Sequence, residues 1–191
     1  MIITIVFGAF FVLVLAYTLA VSTRLKCRPM KLFRTLMPTF IINLSSANYG
    51  ASFLPSFNTM LENGVDADFL SMGHNLGGLL FKPGYGILFI GSAVGTAFAT
   101  GMDVSVGWIV MVLILSFVLA MSIPTIPSAG VSGLTVLFSR LAFSGTSLSI
   151  AIAVNVILNF FTVAVNGYIL QCKLILDADR EGKLNRERFC R

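Results

Sequence analysis

The sequence predicts an all-α integral membrane fold: three transmembrane helices and two opposed re-entrant helical hairpins, with the middle span unwound. Three observations predict it. Charges are few and segregated, several apolar runs have spanning length, and other apolar runs are too short to span and are broken by Gly, Pro, Ser and Asn. Of 191 residues, 57% are hydrophobic and 11% charged, less than half the roughly 25% charged share of a soluble domain. Between residues 35 and 171 the charged side chains are Glu62, Asp66, Asp68, Lys82, Asp103 and Arg140. So sparse a set cannot coat a water-facing surface, which excludes a soluble domain.

The net charge of +5 does not form a nucleic-acid footprint. The basic residues lie in two short segments beside apolar spans: Arg24, Lys26, Arg28, Lys31 and Arg34, then Lys173, Arg180, Lys183, Arg186, Arg188 and Arg191. This is the positive-inside pattern. It predicts a multi-pass protein of the cell membrane with both segments, and hence the C-terminus, in the cytoplasm. Cys27, Cys172 and Cys190 show no metal spacing and fall in or beside these segments, so no disulfide framework is expected. Residues 2–21 are apolar with no basic stretch before them, which predicts a retained helix and not a signal peptide.

Each element follows in order. Residues 2–21 suffice for one span. Pro29 opens a short helical run over 30–44, broken by Ser45-Ser46-Ala47-Asn48-Tyr49-Gly50-Ala51-Ser52, and a second run, 53–61, leads to an acidic turn. Residues 30–61 are thus hairpin one. Residues 69–100 form a second span whose middle carries Phe81-Lys82-Pro83-Gly84-Tyr85-Gly86. Proline removes a backbone donor and glycine tolerates non-helical angles, so this span is expected to unwind there. Residues 107–147 are hairpin two, broken over 122–133, and 148–176 form the third span. Residues 1–176 make one membrane core, and 177–191 a charged cytoplasmic tail.

Irregular backbone at membrane depth survives only where it is buried in protein or lines a wet cavity. Two opposed hairpins around a broken helix form an inverted repeat, an arrangement that places a binding site between the broken elements. No enzyme is expected: the single histidine, the cysteine spacing and the lack of a phosphate loop leave no catalytic constellation.

The breaks carry a resemblance. The serine-rich tip at Ser45 to Ser52 followed by Leu54-Pro55, the sequence Ile126-Pro127-Ser128-Ala129-Gly130, and the ending Glu181-Gly182-Lys183-Leu184 are similar to the dicarboxylate/amino acid:cation symporters, the glutamate-transporter family. Nearly the whole chain resembles the C-terminal, substrate-binding half of that family. The family's Asn-Met-Asp-Gly-Thr falls on Phe81-Lys82-Pro83-Gly84-Tyr85, where only the glycine is kept. Its Asp-x-x-Arg-Thr-x-x-Asn-x-x-x-Asp falls on Asn159, Thr162, Val163, Asn166 and Leu170, where only Asn166 is identical. The resemblance implies a substrate site built from Ser45, Ser46, Asn48, Tyr49 and Gly50 of the first tip and Lys82, Gly84 and Tyr85 of the broken span. Ser128, Ala129 and Gly130 of the second tip and Asn159, Thr162 and Asn166 of the last span complete it. It also implies a coupling ion, Na+ or H+, and no other cofactor. The lost acids at Pro83, Asn159 and Leu170 argue against sodium sites of the usual kind.

Lys82 is the one ionisable group inside the break. Such a group costs about 3 kcal/mol on insertion scales, so its ammonium either replaces a bound cation or pairs a substrate carboxylate, with snorkelling or packing against hairpin carbonyls as the plain alternative. His74 is expected to be a hydrogen-bonded structural residue, and Arg140 to snorkel. Asn155, Asn159 and Asn166 share one helix face and line a site or glue helices.

The expected function is secondary transport of a small organic anion or amino acid, such as a dicarboxylate, by alternating access of the hairpin core. Two other readings fit the same residues: a channel-like pore subunit, and a truncated or split-transporter subunit. The family's first five spans, which supply scaffold and trimer contacts, have no counterpart in these 191 residues. The expected partners are the bilayer, a small-molecule substrate, a scaffold subunit and further copies in a trimer; nucleic acid is not among them.

Overall fold

Charge-poor, apolar sequence folds into helices because lipid offers the backbone no hydrogen-bond partners. The computed structural model describes residues 1–124 and 129–190. Among the described residues the helices are α1 (Ile2–Leu25), α2 (Pro29–Ser46), α3 (Tyr49–Glu62), α4 (Ala67–Leu80), α5 (Pro83–Ala99), α6 (Val106–Ser122), α7 (Ala129–Arg140), α8 (Gly145–Arg180) and α9 (Arg186–Cys190). Three stretches are long and apolar enough to cross a membrane: Ile2–Leu25, Ala67–Ala99 and Gly145–Arg180. This is an all-α, multi-pass membrane protein.

The breaks are tighter than the sequence predicts. The first turn is only Ala47 and Asn48: Ala47 takes the left-handed conformation at φ 49° and closes α2, and the Asn48 side chain caps α3 by accepting from the Gly50 N–H. Pro38 and Pro55 both lie inside helices. In the middle span only Phe81 and Lys82 leave the helix. Pro83 then serves as a helix starter, because its missing N–H falls where no partner is needed. Gly84, Tyr85 and Gly86 are therefore helical, not unwound.

α8 is the element around which the others assemble. It packs against α1, α2, α3, α4, α5 and α7. Apolar contact provides most of this, and two buried polar links add register. Tyr168 and Thr18 share a hydrogen bond of 2.8 Å between α8 and α1, and the Gln171 amide donates to the Thr39 hydroxyl at 2.8 Å between α8 and α2. The outward surface is apolar in turn: Phe11, Leu54, Met72, Val106 and Phe117 are all exposed, as suits lipid or a neighbouring helix.

At 36 residues α8 is about 54 Å long, well beyond a hydrocarbon layer of about 30 Å. Its far end meets the first basic loop. Asp179 accepts from Arg24 at 3.0 Å and from Arg186, while Leu184 bridges Val65 and the Asp66 N–H donates to the Lys183 carbonyl at 2.9 Å. The end of α1, the start of α2, the acidic turn after α3 and the chain's last residues thus share one end of the molecule. The tail folds back on this end.

That fold-back brings two of the cysteines together. Cys27 and Cys190 form a disulfide pair with Cα atoms 5.4 Å apart, although 163 residues separate them, a distance normal for a disulfide. Sequence spacing could not show it, because tail docking creates it. Cys172 is the free, buried thiol. Denatured without reductant, oxidised protein is expected to show one titratable thiol, and after reduction all three. In a reducing compartment the pair rests as two thiols.

Candidate functional site

The site begins with four side chains on α8. Asn155, Asn159, Thr162 and Asn166 recur every three or four residues, so they share a face, and each is at least nine-tenths buried. An amide in an apolar interior needs a partner, at a cost of roughly 1–3 kcal/mol when it has none. The broken elements come to that face.

The helix break supplies the closest partners. The Gly84 N–H, freed at the start of α5, donates to Asn166 Oδ1 at 2.7 Å, and the Tyr85 hydroxyl donates to Asn159 Oδ1 at 3.2 Å. The backbone approaches so closely that a Cβ on Gly84 would lie 2.9 Å from the Thr162 carbonyl oxygen and 2.8 Å from Asn166 Oδ1. Thr162 turns its own hydroxyl back to the Leu158 carbonyl at 2.8 Å. At the start of α7, after buried Ala129, a Cβ on Gly130 would lie 2.6 Å from Asn155 Oδ1. Ser128 lies outside the described residues.

Lys82 stands in the break itself with only 6% of its surface exposed. Its ammonium donates to the carbonyl of Ile123, the residue that closes α6. Snorkelling to water does not describe this side chain. Among the described residues Asp179 is the one buried carboxylate, at the far end of α8. The α8 face carries amides and a hydroxyl but no acid.

Hairpin one enters the site differently from the sequence expectation. Ser45 and Ser46 direct their hydroxyls to the Ile42 carbonyl at 3.0 and 2.8 Å, and Asn48 and Gly50 are engaged in the helix cap. The Tyr49 hydroxyl shares a hydrogen bond with His74 Nδ1 at 2.6 Å, and the Ser56 hydroxyl one with His74 Nε2 at 2.8 Å. The fully buried His74 is thereby hydrogen-bonded on both ring nitrogens. Beside Thr39, Asn43 of hairpin one also reaches α8. It accepts from Ser52 at 2.7 Å and packs so closely on Gly167 that any side chain there would overlap it. Sequence reasoning missed Asn43, although an amide inside the apolar run 30–44 was a usable signal. Arg140 is exposed at the end of α7.

Several polar atoms at this junction remain open. Both amide atoms of Asn155, Asn166 Nδ2 and Asn43 Nδ2 are buried without a hydrogen-bond partner among the described residues. A native interior leaves few such groups, and here they line the convergence of α8 with α2, α5 and α7.

These parts define a membrane protein with an internal polar junction between broken helices. The sequence matches the sodium:dicarboxylate symporter family over residues 1–168, and the chain belongs to that family of transporters. A search of curated protein sequences found no match.

Proposed function

We propose that the chain binds a small organic anion, a dicarboxylate or an amino acid, at the α8 face and carries it across the membrane by alternating access. In this reading α2–α3 and α6–α7 are re-entrant hairpins entered from opposite sides, and the basic end faces the cytoplasm. The observation that supports it best is the set of open amides, Asn155, Asn166 and Asn43, buried beside the helix break. A ligand carboxylate has the acceptors that Nδ2 groups lack, and the start of α7 offers a partial positive charge. Lys82 adds a full positive charge nearby, which favours an anion over a neutral solute. Sodium, which the family's description names, would be cargo. The α8 face offers it no carboxylate, and hard cations favour charged oxygen ligands.

Counterflow of labelled succinate and aspartate into proteoliposomes tests the proposal. Saturable exchange is expected, and non-saturating ohmic flux would replace the carrier with a pore. Asn166→Ala is expected to weaken substrate binding about tenfold or more, the loss of one hydrogen bond to a charged group. Unchanged affinity in that variant would remove the α8 face from the site.

A further inference from the structure

We infer that the Lys82 ammonium is a tethered counter-ion, filling a position at the carbonyl end of α6 that a dissolved monovalent cation would otherwise occupy. The inference builds on the proposed site and specifies how that site is charged.

The C-terminus of α6 creates the position. α4 ends at Leu80 and α6 at Ser122, and the last carbonyls of a helix lack intrahelical donors and carry partial negative charge. Where such ends meet inside a membrane protein, they hold cations. Lys82 is the second residue past α4, and Ile123 is the first past α6. The ammonium donates to the Ile123 carbonyl, 41 residues along the sequence. The side chain is buried, so water does not solvate the charge, and its partner among the described residues is a main-chain oxygen, not a carboxylate.

The surrounding composition points the same way. With amides but no acid on the α8 face, a free cation would have to be held by neutral oxygens alone. One covalently attached ammonium removes the entropy cost of capturing that ion and repels a second cation from the same carbonyls. An anionic substrate then meets a charge that is always present. Binding at the site therefore does not depend on sodium.

The test uses the full chain in nanodiscs, without organic substrate, in NaCl or choline chloride at equal ionic strength. Trp108, the single tryptophan, lies on α6 and reports its environment, and thermal unfolding reports stability. The wild type is expected to differ by less than about 1 °C between the two salts. Lys82→Met is expected to lose stability in choline and to regain roughly 3 °C or more, saturably, in sodium, lithium or potassium. Lys82→Gln, a smaller change in polarity, should behave alike. Assembly of either variant only in alkali salts also supports the inference. Saturable stabilisation of the wild type by sodium overturns it. So does a folded variant that ignores alkali ions, or failure of both variants in every salt, since then no ion replaces the ammonium. Counterflow reports separately on the transport proposal, and a negative result there leaves this one standing.

Discussion

Gly84→Ala is expected to abolish tight substrate binding, whereas Gly86→Ala, two residues along the same helix, is expected to be harmless. The added methyl group at Gly84 would lie 2.9 Å from the Thr162 carbonyl oxygen. That oxygen belongs to the backbone of α8, which is packed on six other helices, so α5 must move instead. Moving it breaks the Gly84–Asn166 hydrogen bond and shifts Lys82. Overpacking of this kind costs about 1–3 kcal/mol, enough for a tenfold or greater loss of affinity. Around Gly86 nothing lies within 4 Å of a new Cβ. There alanine gains helix propensity, up to about 1 kcal/mol. Binding and melting curves for the two variants check this, and equal behaviour would mean that the close contact with α8 does not matter.

Asp179→Lys should release the tail. The Asp179 side chain is 1% exposed and accepts from two arginines that are themselves half exposed. A lysine there puts three cations together, and buried like charges are strongly disfavoured. With Cys27–Cys190 reduced, cleavage after residue 180 by a limiting protease is expected to accelerate at least tenfold, because local opening governs it. Asp179→Asn keeps the acceptor and should give a smaller effect, since solvent screens the exposed arginines. Acid should mimic the loss. Hydrogen bonding from Arg186 holds the Asp179 carboxyl below its ordinary value; burial pushes the other way and is outweighed, with Arg24 assisting. The folded value is therefore the lower one. The clamp's contribution is complete above the unfolded value of about 3.9 and disappears as pH falls through the folded value. Tail protection that stayed constant from pH 6 down to pH 2 would dismiss the clamp.

Local physics explains which features could be read from the sequence. The three membrane-length stretches follow from apolar length, and the break at Lys82 from the proline and glycine after it. The α8 stripe follows from helical spacing. Gly84, Tyr85, Asn159 and Asn166 come together because two local signals, a break and a polar face, meet in space. The serines of the first tip give their hydroxyl protons to the carbonyl of Ile42, a pairing that composition does not reveal. The bonds of Tyr49 and Ser56 to His74, the Asn43–Gly167 contact and the Cys27–Cys190 pair all join distant residues. No periodicity encodes them.

The central place of α8 has a consequence for how the molecule is made. It follows α1 to α7 in the chain, yet most of those helices find their principal partner in it. While the ribosome is still synthesising residues 1–144, the open faces of α2, α4 and α5 have nothing of their own chain to close on. Native packing therefore waits until α8 is in the bilayer and must join segments far apart in sequence, a slow class of assembly. Until then the Gly84 N–H and the Tyr85 and Thr39 hydroxyls, whose partners lie on α8, depend on interim partners, which gives insertion factors and quality control a defined interval in which to act.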